Sequence, residues 1–183
     1  RVIVVTSSVP GEGKSTTSGN LAIALAQSGN SVLLVDCDMR KPSIHKKFKI
    51  SNAAGTAELL LRKKLFEEVA NKYNENLTII TAGKIPPNPS EMLASRAMTA
   101  FIEEMKKEFK YIILDTPPLQ AVTDAQVLST KADGVLLVIR AGSTKREMVL
   151  NSVDLIKKVQ GKVIGTVLNG VENKKNNYYY YGE

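Results

Sequence analysis

Short apolar segments alternate with longer amphipathic segments along most of the chain. Within each apolar segment the hydrophobic residues stand at consecutive positions, which is typical of strands that are buried on both faces of a sheet. These segments predict strands at 2–6, 31–36, 77–81, 111–114, 134–139 and 163–168. The intervening residues predict helices over 15–28, 55–61, 64–73, 91–108, 123–130 and 144–160, with a short helical piece that opens at 41–43. Ser90, after a loop with several prolines, is the predicted N-cap of the helix over 91–108.

The alternation of buried strands with helices indicates a parallel sheet that is covered by helices on both faces. Right-handed crossovers then give an α/β fold with a doubly wound, mostly parallel sheet. The chain has 183 residues, 43% of them hydrophobic, which suits one globular domain with a full core. We therefore predict a single domain over 1–170, followed by a flexible tail over 171–183 that has no apolar periodicity.

The stretch 7–16, Ser-Ser-Val-Pro-Gly-Glu-Gly-Lys-Ser-Thr, links the first predicted strand to the first predicted helix. A glycine-rich turn between strand and helix, closed by Gly-Lys-Ser, is the pattern of a phosphate-binding P-loop. Its backbone N–H groups and the helix N-terminus suit an anion. Ser8 replaces the first glycine of the usual motif, and a small residue still fits there. The predicted ATP contacts are Pro10, Gly11, Glu12, Gly13, Lys14, Ser15, Thr16 and, by its place after the last strand, Asn169.

Acidic side chains follow two other predicted strands. Asp36 and Asp38 come after one strand and Asp115 ends another, so they share an edge of the sheet with the P-loop. Mg²⁺ prefers few carboxylates together with phosphates and water. We predict Ser15, Asp36 and Asp115 as its ligands.

Phosphoryl transfer depends mostly on positioning and charge neutralisation. The predicted catalytic residues are Lys14, Asp36, Asp38 and Arg40, with Asp36 as the proton acceptor. A role for Asp36 and Asp38 in the turn after the strand is the alternative.

The formal net charge is +7, but the basic clusters are short and scattered. Aromatic residues make up only 5%, so the chain lacks the stacking platform of single-strand binders, and no nucleic acid partner is predicted.

The one cysteine, Cys37, is expected to be a buried thiol in a reducing compartment. No apolar run is long enough to span a bilayer, and no signal peptide precedes the first strand, so a cytoplasmic domain is predicted.

The sequence ends in a run of four tyrosines, Tyr178, Tyr179, Tyr180 and Tyr181, after a stretch rich in lysine and asparagine. Composition alone leaves three interpretations: a sticky aromatic tail, a partner-binding strand, or phosphate acceptors. Each phosphate would add about −1.5 to −2 charges. Four would therefore offset the net positive charge of the chain. Next to an ATP site, acceptors are the preferred interpretation, in the same subunit or in a neighbour.

Together these motifs resemble a bacterial tyrosine kinase over the whole chain. The resemblance rests on 7–15, 35–42, 86–91, 115–118, 122–125 and the tyrosine run at 178–181. It implies a P-loop NTPase fold of the deviant Walker A type that phosphorylates protein tyrosines with ATP and Mg²⁺. In such kinases the residues matching Lys14, Ser15 and Thr16 contact nucleotide and metal. The residue matching Asp115 organises Mg²⁺, and the tyrosine cluster is autophosphorylated between subunits.

The resemblance also implies partners. Such kinases form a homo-oligomeric ring at full length and work with a membrane activator that is a separate chain or is fused upstream. Their other partners are protein tyrosine substrates and a cognate phosphatase, and they regulate capsule or exopolysaccharide synthesis at the inner face of the cell membrane.

Two other functions remain open at this point. The first is a partitioning-type P-loop ATPase switch, although such proteins carry an extra lysine early in the P-loop where this chain has Val9 and Pro10. The second is a nucleotide-binding regulator without catalysis.

Overall fold

The computed structural model of the protein describes residues 1–172. Its strands are β1 Val2–Ser7, β2 Val32–Asp36, β3 Ala70–Lys72, β4 Leu77–Ile80, β5 Tyr111–Asp115, β6 Gly134–Arg140 and β7 Val163–Asn169. Its helices are α1 Lys14–Gln27, α2 Ile44–Phe48, α3 Thr56–Leu60, α4 Phe66–Val69, α5 Pro89–Ala94, α6 Arg96–Glu108, α7 Asp124–Ser129 and α8 Arg146–Lys158. All six predicted strands are present, with small differences at their ends.

The strands form one sheet in the order β3-β4-β2-β5-β1-β6-β7. Every pairing is parallel except that of β3 with β4. Strand β1 lies between β5 and β6 inside the sheet, and the chain leaves β1 for β2 on one side and returns to β6 on the other. Such a switch point in an open α/β sheet is where ligands bind. The predicted doubly wound, mostly parallel α/β fold is confirmed.

The core has two parts, one on each face of the sheet. On one face, apolar residues of α1 and α2 cover the side chains of the central strands, with Ala22, Ala26 and Ile44 buried. On the other face, α5 to α8 cover the sheet, with Leu93 and Ile102 among the fully buried side chains. Alternate residues of each strand therefore point into different halves of the core, which explains why the strands are apolar throughout. Cys37 is fully buried, as expected.

The predicted helix over 64–73 is wrong in its second half. Helix α4 ends at Val69, and Ala70–Lys72 pairs antiparallel with β4 instead. The turn between them is closed by Asn74, whose side-chain oxygen accepts from the backbone N–H of Asn76 and Leu77. Asparagine favours such turns, so a hairpin replaces the last helical turn.

The predicted helix over 91–108 is two helices. Ser95 has an extended backbone, with φ −64° and ψ 159°, and it separates α5 from α6. Its hydroxyl accepts from the N–H of Met98 at 3.2 Å, so Ser95 is the N-cap of α6. Ser90 is not the N-cap that was predicted, because α5 begins at Pro89 with Asn88 as its N-cap residue.

Among residues 1–172 no helix is both long enough and apolar enough to cross a bilayer. The predicted tail falls almost entirely outside this range, so the division into a domain and a flexible tail stays a prediction.

Candidate active site

The P-loop connects β1 to α1 at the switch point of the sheet. Gly11 and Gly13 have φ of 84° and 93°, a backbone region that residues with a Cβ rarely adopt. A Cβ on Gly13 would also lie 2.0 Å from Nδ2 of Asn169. The glycine pattern of the loop therefore follows from both its backbone conformation and its packing.

Ser8 takes the place of the usual first glycine and is fully buried. Its hydroxyl oxygen accepts from Oγ of Ser152 at 3.0 Å, and Ser152 is a buried residue of α8. This buried hydrogen bond fixes the start of the loop to α8. The departure from the motif thus has a structural role that the sequence did not reveal.

Glu12 and Asn169 stabilise the loop and do not line the cavity above it. The Glu12 side chain accepts from the N–H of Val9 at 2.8 Å, from the N–H of Arg140 at 3.3 Å and from the hydroxyl of Thr144. Asn169 donates through Nδ2 to the backbone oxygen of Glu12 at 3.0 Å. Both residues were predicted as ATP contacts, and the structure places their side chains on the β6 and β7 side of the loop.

The predicted acids meet the P-loop at the tips of β2 and β5. Asp36 and Asp115 are partners in the register of these two strands, and both are fully buried. Lys14 forms an ion pair with Asp38, with 2.9 Å between Nζ and Oδ2. Asp115 accepts from the Ser18 hydroxyl at 2.8 Å through Oδ1, whereas its buried Oδ2 has no hydrogen-bond partner within residues 1–172. An unpaired buried carboxylate oxygen is costly unless a ligand satisfies it.

Asp36 organises the turn that follows β2. Its Oδ1 accepts from the N–H of Asp38 at 3.0 Å, and its Oδ2 accepts from the N–H groups of Ser43 and Ile44 at 3.3 and 3.2 Å. Burial and the neighbouring charge of Asp115 raise the pKa of Asp36 to about 8, although the N–H groups of Ile44 and Asp38 oppose the rise. Asp36 therefore makes the turn contacts expected in the alternative interpretation, while its catalytic role stays a prediction; Asp38, unlike Asp36, lines the cavity.

The charges at this edge depend on one another. Burial raises the pKa of Asp115 against the opposing positive charge of Lys14. Burial opposes the charged form of Lys14, yet Asp115 and Asp38 raise its pKa overall, so the lysine stays protonated. In the part of the chain that the structure describes, Lys14 is the one lysine that faces the three carboxyl groups of Asp36, Asp38 and Asp115, so negative charge exceeds positive charge in this cluster when all three are ionised.

A cavity of about 420 Å³ opens above these strand tips. It is lined by loop and helix residues Pro10, Gly11, Gly13, Ser15 and Thr16, by the charged residues Lys14, Asp38, Arg40, Lys41 and Lys47, and by Ser43, Pro117, Pro118, Ala121 and Val122. The basic side chains suit an anionic ligand, and the lining residues between 117 and 122 are apolar. Asp36 and Asp115 lie beneath this lining, buried in the strand tips.

Arg40 lies on the cavity wall but is bound by two residues that the sequence did not single out for the site. Its Nε and Nη2 donate to Oδ2 and Oδ1 of Asp124 at 3.1 and 3.2 Å. Nη2 also donates to Oγ of Ser90 at 3.0 Å, and that hydroxyl donates to Asp124. The sequence provided only an indirect indication of their role. Ser90 and Asp124 lie in two of the stretches, 86–91 and 122–125, on which the resemblance to bacterial tyrosine kinases rests.

The AAA domain family matches residues 1–168. Tyrosine-protein kinase YwqD of Bacillus subtilis is 42% identical to this chain over 182 residues, which are 98% of the chain and 77% of YwqD. The chain belongs to the bacterial tyrosine-protein kinase family. The solved kinase domain of the Escherichia coli tyrosine kinase ETK superposes on this kinase with a TM-score of 0.91 at 33% identity, covering 100% of the chain and 72% of the ETK domain. In full-length Etk the matching region is 25% of the protein.

A more distant neighbour shows how widely the fold is shared. Cobyrinic acid a,c-diamide synthase of Mycobacterium smegmatis, solved with an ATP analogue and magnesium, has a TM-score of 0.78 at 23% identity over 92% of the kinase and 74% of the synthase. At that identity the likeness shows the P-loop NTPase fold alone.

The structure thus brings Lys14, Ser15, Asp38 and Arg40 together on one cavity, with Asp36 and Asp115 beneath it. The predicted phosphorylation sites lie outside the described residues, and their role as acceptors therefore stays a prediction; they are Tyr178, Tyr179, Tyr180 and Tyr181.

Proposed function

We propose that this kinase transfers the γ-phosphoryl group of ATP to protein tyrosines at the P-loop cavity. The observation that carries the proposal is the meeting of Lys14, Ser15 and the buried Asp115 at one basic cavity on the switch point of the sheet. P-loop NTPases require a lysine, a hydroxyl and a carboxylate in this arrangement.

The loop residues would hold the nucleotide. Gly11 to Thr16 present backbone N–H groups and the N-terminus of α1, which favours phosphate oxygens. Lys14 would leave Asp38 for the β- and γ-phosphates, and the phosphates would then supply the negative charge that Asp38 supplies now.

Mg²⁺ fits the donor set at the strand tips. Asp115 offers an unpartnered, buried carboxylate oxygen, and the Ser15 hydroxyl is close to Lys14, with 3.3 Å between Nζ and Oγ. A hard oxygen site with few protein ligands is what Mg²⁺ prefers beside phosphates. The bound ion would neutralise charge on the β- and γ-phosphates. Ser15 and Asp115 are its proposed ligands, with Asp36 beside them.

The reaction forms a bond from the phenol oxygen to the γ-phosphorus, breaks the bond to ADP and moves the phenol proton to a carboxylate. Asp36 is the proposed acceptor because it lies beside Asp115 at the strand tips, and its raised pKa makes it more basic than an ordinary carboxylate. Since Asp38 lines the cavity and Asp36 does not, access of the phenol to Asp36 requires a shift of the turn at 38–43.

We propose that the four tyrosines, Tyr178, Tyr179, Tyr180 and Tyr181, are acceptors in trans, within a homo-oligomer. We also propose a membrane activator, separate or fused, that brings the domain to the inner face of the membrane, where it regulates capsule or exopolysaccharide synthesis and a cognate phosphatase removes the phosphates. The matching region makes up 77% of YwqD, which leaves little room for a fused activator, but only 25% of Etk, which leaves room for one. Both a separate and a fused activator are therefore compatible with these relatives.

The test is phosphotyrosine blotting of the full chain, with its activator, after incubation with MgATP. We expect a signal that is lost in Lys14→Met and in a variant with all four tyrosines at 178–181 changed to Phe. A variant with Lys49→Met, an exposed lysine outside the cavity lining, is the matched control and should keep the signal. Release of ADP without phosphotyrosine would reject the kinase and favour the partitioning-type ATPase switch.

A further inference from the structure

Asp124 is a fully buried carboxylate at the first turn of α7, and its partner is Arg40 on the loop after β2. The bonds from Nε and Nη2 to the two carboxylate oxygens, at 3.1 and 3.2 Å, form a bidentate pair. A bidentate pair fixes the plane of the guanidinium as well as its position. The pair therefore determines where the cation of Arg40 lies on the cavity wall.

Ser90 of α5 completes the arrangement. Its Oγ accepts from Nη2 of Arg40 at 3.0 Å and donates to Oδ1 of Asp124. Helices α5 and α7 thus both bind the one guanidinium of the loop after β2. These bonds use Nε and Nη2 and do not involve Nη1, and the Arg40 side chain is 38% exposed toward the cavity that it lines.

The same residue is also connected to the P-loop lysine. The backbone N–H of Arg40 donates to Oδ1 of Asp38 at 3.3 Å, and Oδ2 of Asp38 pairs with Nζ of Lys14 at 2.9 Å. A shift of Arg40 would consequently move the acid that faces Lys14.

A carboxylate as fully buried as Asp124 is costly to remove from water, and its attraction to the partly exposed Arg40 is an inefficient way to stabilise a fold. Well-packed apolar residues could join α5, α7 and this loop at a lower cost. The retained pair at the cavity wall is better explained by the need for a cation at a fixed place.

We propose that Asp124 and Ser90 are positioning residues that hold the Arg40 guanidinium where it stabilises charge on the phosphoryl group during transfer. The inference rests on the proposed phosphoryl transfer at this cavity. It assigns Asp124 no contact with substrate, so every effect of Asp124 must pass through Arg40.

The first test is a double-mutant cycle in the full chain with its activator, using Asp124→Asn, Arg40→Ala and the double variant. We expect Arg40→Ala to lower kcat on the order of 10²-fold, the effect of removing one charge-stabilising donor. Asp124→Asn should lower kcat about 10-fold with little change in KM for MgATP, and the double variant should match Arg40→Ala. The proposal would be overturned if the fold loss of kcat in the double variant equalled the product of the two single losses, or if Asp124→Asn kept the wild-type kcat.

The second test separates positioning from folding. Guanidinium ion added at low concentration should restore part of kcat in Arg40→Ala, but not in the double variant, which lacks the carboxylate to hold it. Equal rescue in both, or no rescue in Arg40→Ala, would count against the proposal. Glu103→Gln breaks an exposed ion pair with Lys106 and should change none of these values.

Both phosphotyrosine and ADP release are measured, so the two proposals fail separately. If no phosphotyrosine forms in the wild-type protein, the tyrosine kinase proposal fails. The double-mutant cycle and the guanidinium rescue are then measured by the rate of ADP release. This rate still tests the proposal, because Arg40 is proposed to act on the phosphoryl group and not on its acceptor.

Discussion

The two sides of the P-loop differ in chemistry. On the side of β6, β7 and α8, the loop is held by Ser152, Thr144 and Asn169, with bonds to Ser8 and Glu12. On the side of β2 and β5 it faces the acids of the strand tips and an open cavity. On the first side Glu12 has its hydrogen bonds satisfied within the protein, while on the second Asp115 keeps a buried oxygen without a partner among residues 1–172.

One side of the P-loop therefore supports its conformation, and the other side carries the reactive groups. Satisfied hydrogen bonds give the loop one conformation, so that its N–H groups are in place before a ligand arrives. The crowding of like charges on the other side is costly in the free protein and becomes favourable only with a cation and phosphates. A change on the reactive side should therefore lower activity without lowering stability, whereas a change on the supporting side should lower stability and weaken nucleotide binding.

The largest expected effect is that of Asp115→Asn on the reactive side. Phosphotyrosine formation should fall on the order of 10²–10³-fold, since the proposed metal ligand is lost. The melting temperature of the free protein should equal or exceed that of wild type, because the variant removes a buried charge near Asp36 and keeps the acceptor for Ser18. A clear fall in melting temperature together with full activity would show that Asp115 supports the fold, which contradicts its assignment to the reactive side.

The pH dependence of stability sharpens this result. The folded-state pKa values of Asp36 and Asp115 are raised, so these two groups hold more protons in the folded protein than in the unfolded chain. That contribution is present below about pH 4 and is lost as pH rises through about 8. Thermal unfolding of the free protein should show a melting temperature that falls over this range, less steeply in Asp115→Asn. Asp154→Asn, an exposed change on α8, should keep the wild-type slope.

A smaller effect is expected for Glu12→Ala on the supporting side. Removal of the carboxylate leaves partly buried donors at Val9 and Thr144 without their charged acceptor, which costs about 1–3 kcal/mol. The melting temperature should fall and KM for MgATP should rise, with kcat little changed, because the loop loses its fixed conformation. Glu12→Gln keeps an acceptor oxygen and should lie between wild type and Ala. A wild-type KM in Glu12→Ala would show that the loop needs no such support.

The smallest effect is expected for Ser152→Ala, which removes the link between α8 and Ser8. The loss of one buried hydrogen bond should lower stability by about 0.5–1.5 kcal/mol, as measured by denaturant unfolding. The double variant with Ser8→Ala should lose less than the sum of the two single variants, because both partners of the bond are then absent. Ser143→Ala, at an exposed serine, is the control. Additive losses would mean that the two hydroxyls act separately.

Local patterns were sufficient for the strands, the P-loop and the acids at the strand ends. They failed where a distant partner decides the outcome. Ala70–Lys72 is a strand only because β4 lies beside it, and Ser90 acts within α5 because Arg40 and Asp124 reach it from other elements. Glu12 was grouped with the ATP contacts by its position in the loop, whereas Arg140 and Thr144 determine where its side chain goes.

The sequence by itself determined the α/β architecture and the edge of the sheet that carries the chemistry, because hydrophobic periodicity and the ends of parallel strands are local features. Only the tertiary structure decided which acid faces Lys14, which residues hold Arg40 and why Ser8 replaces a glycine. Each of these depends on a contact between residues that lie 24 to 144 positions apart. Such contacts form only when the completed sheet brings separate elements together.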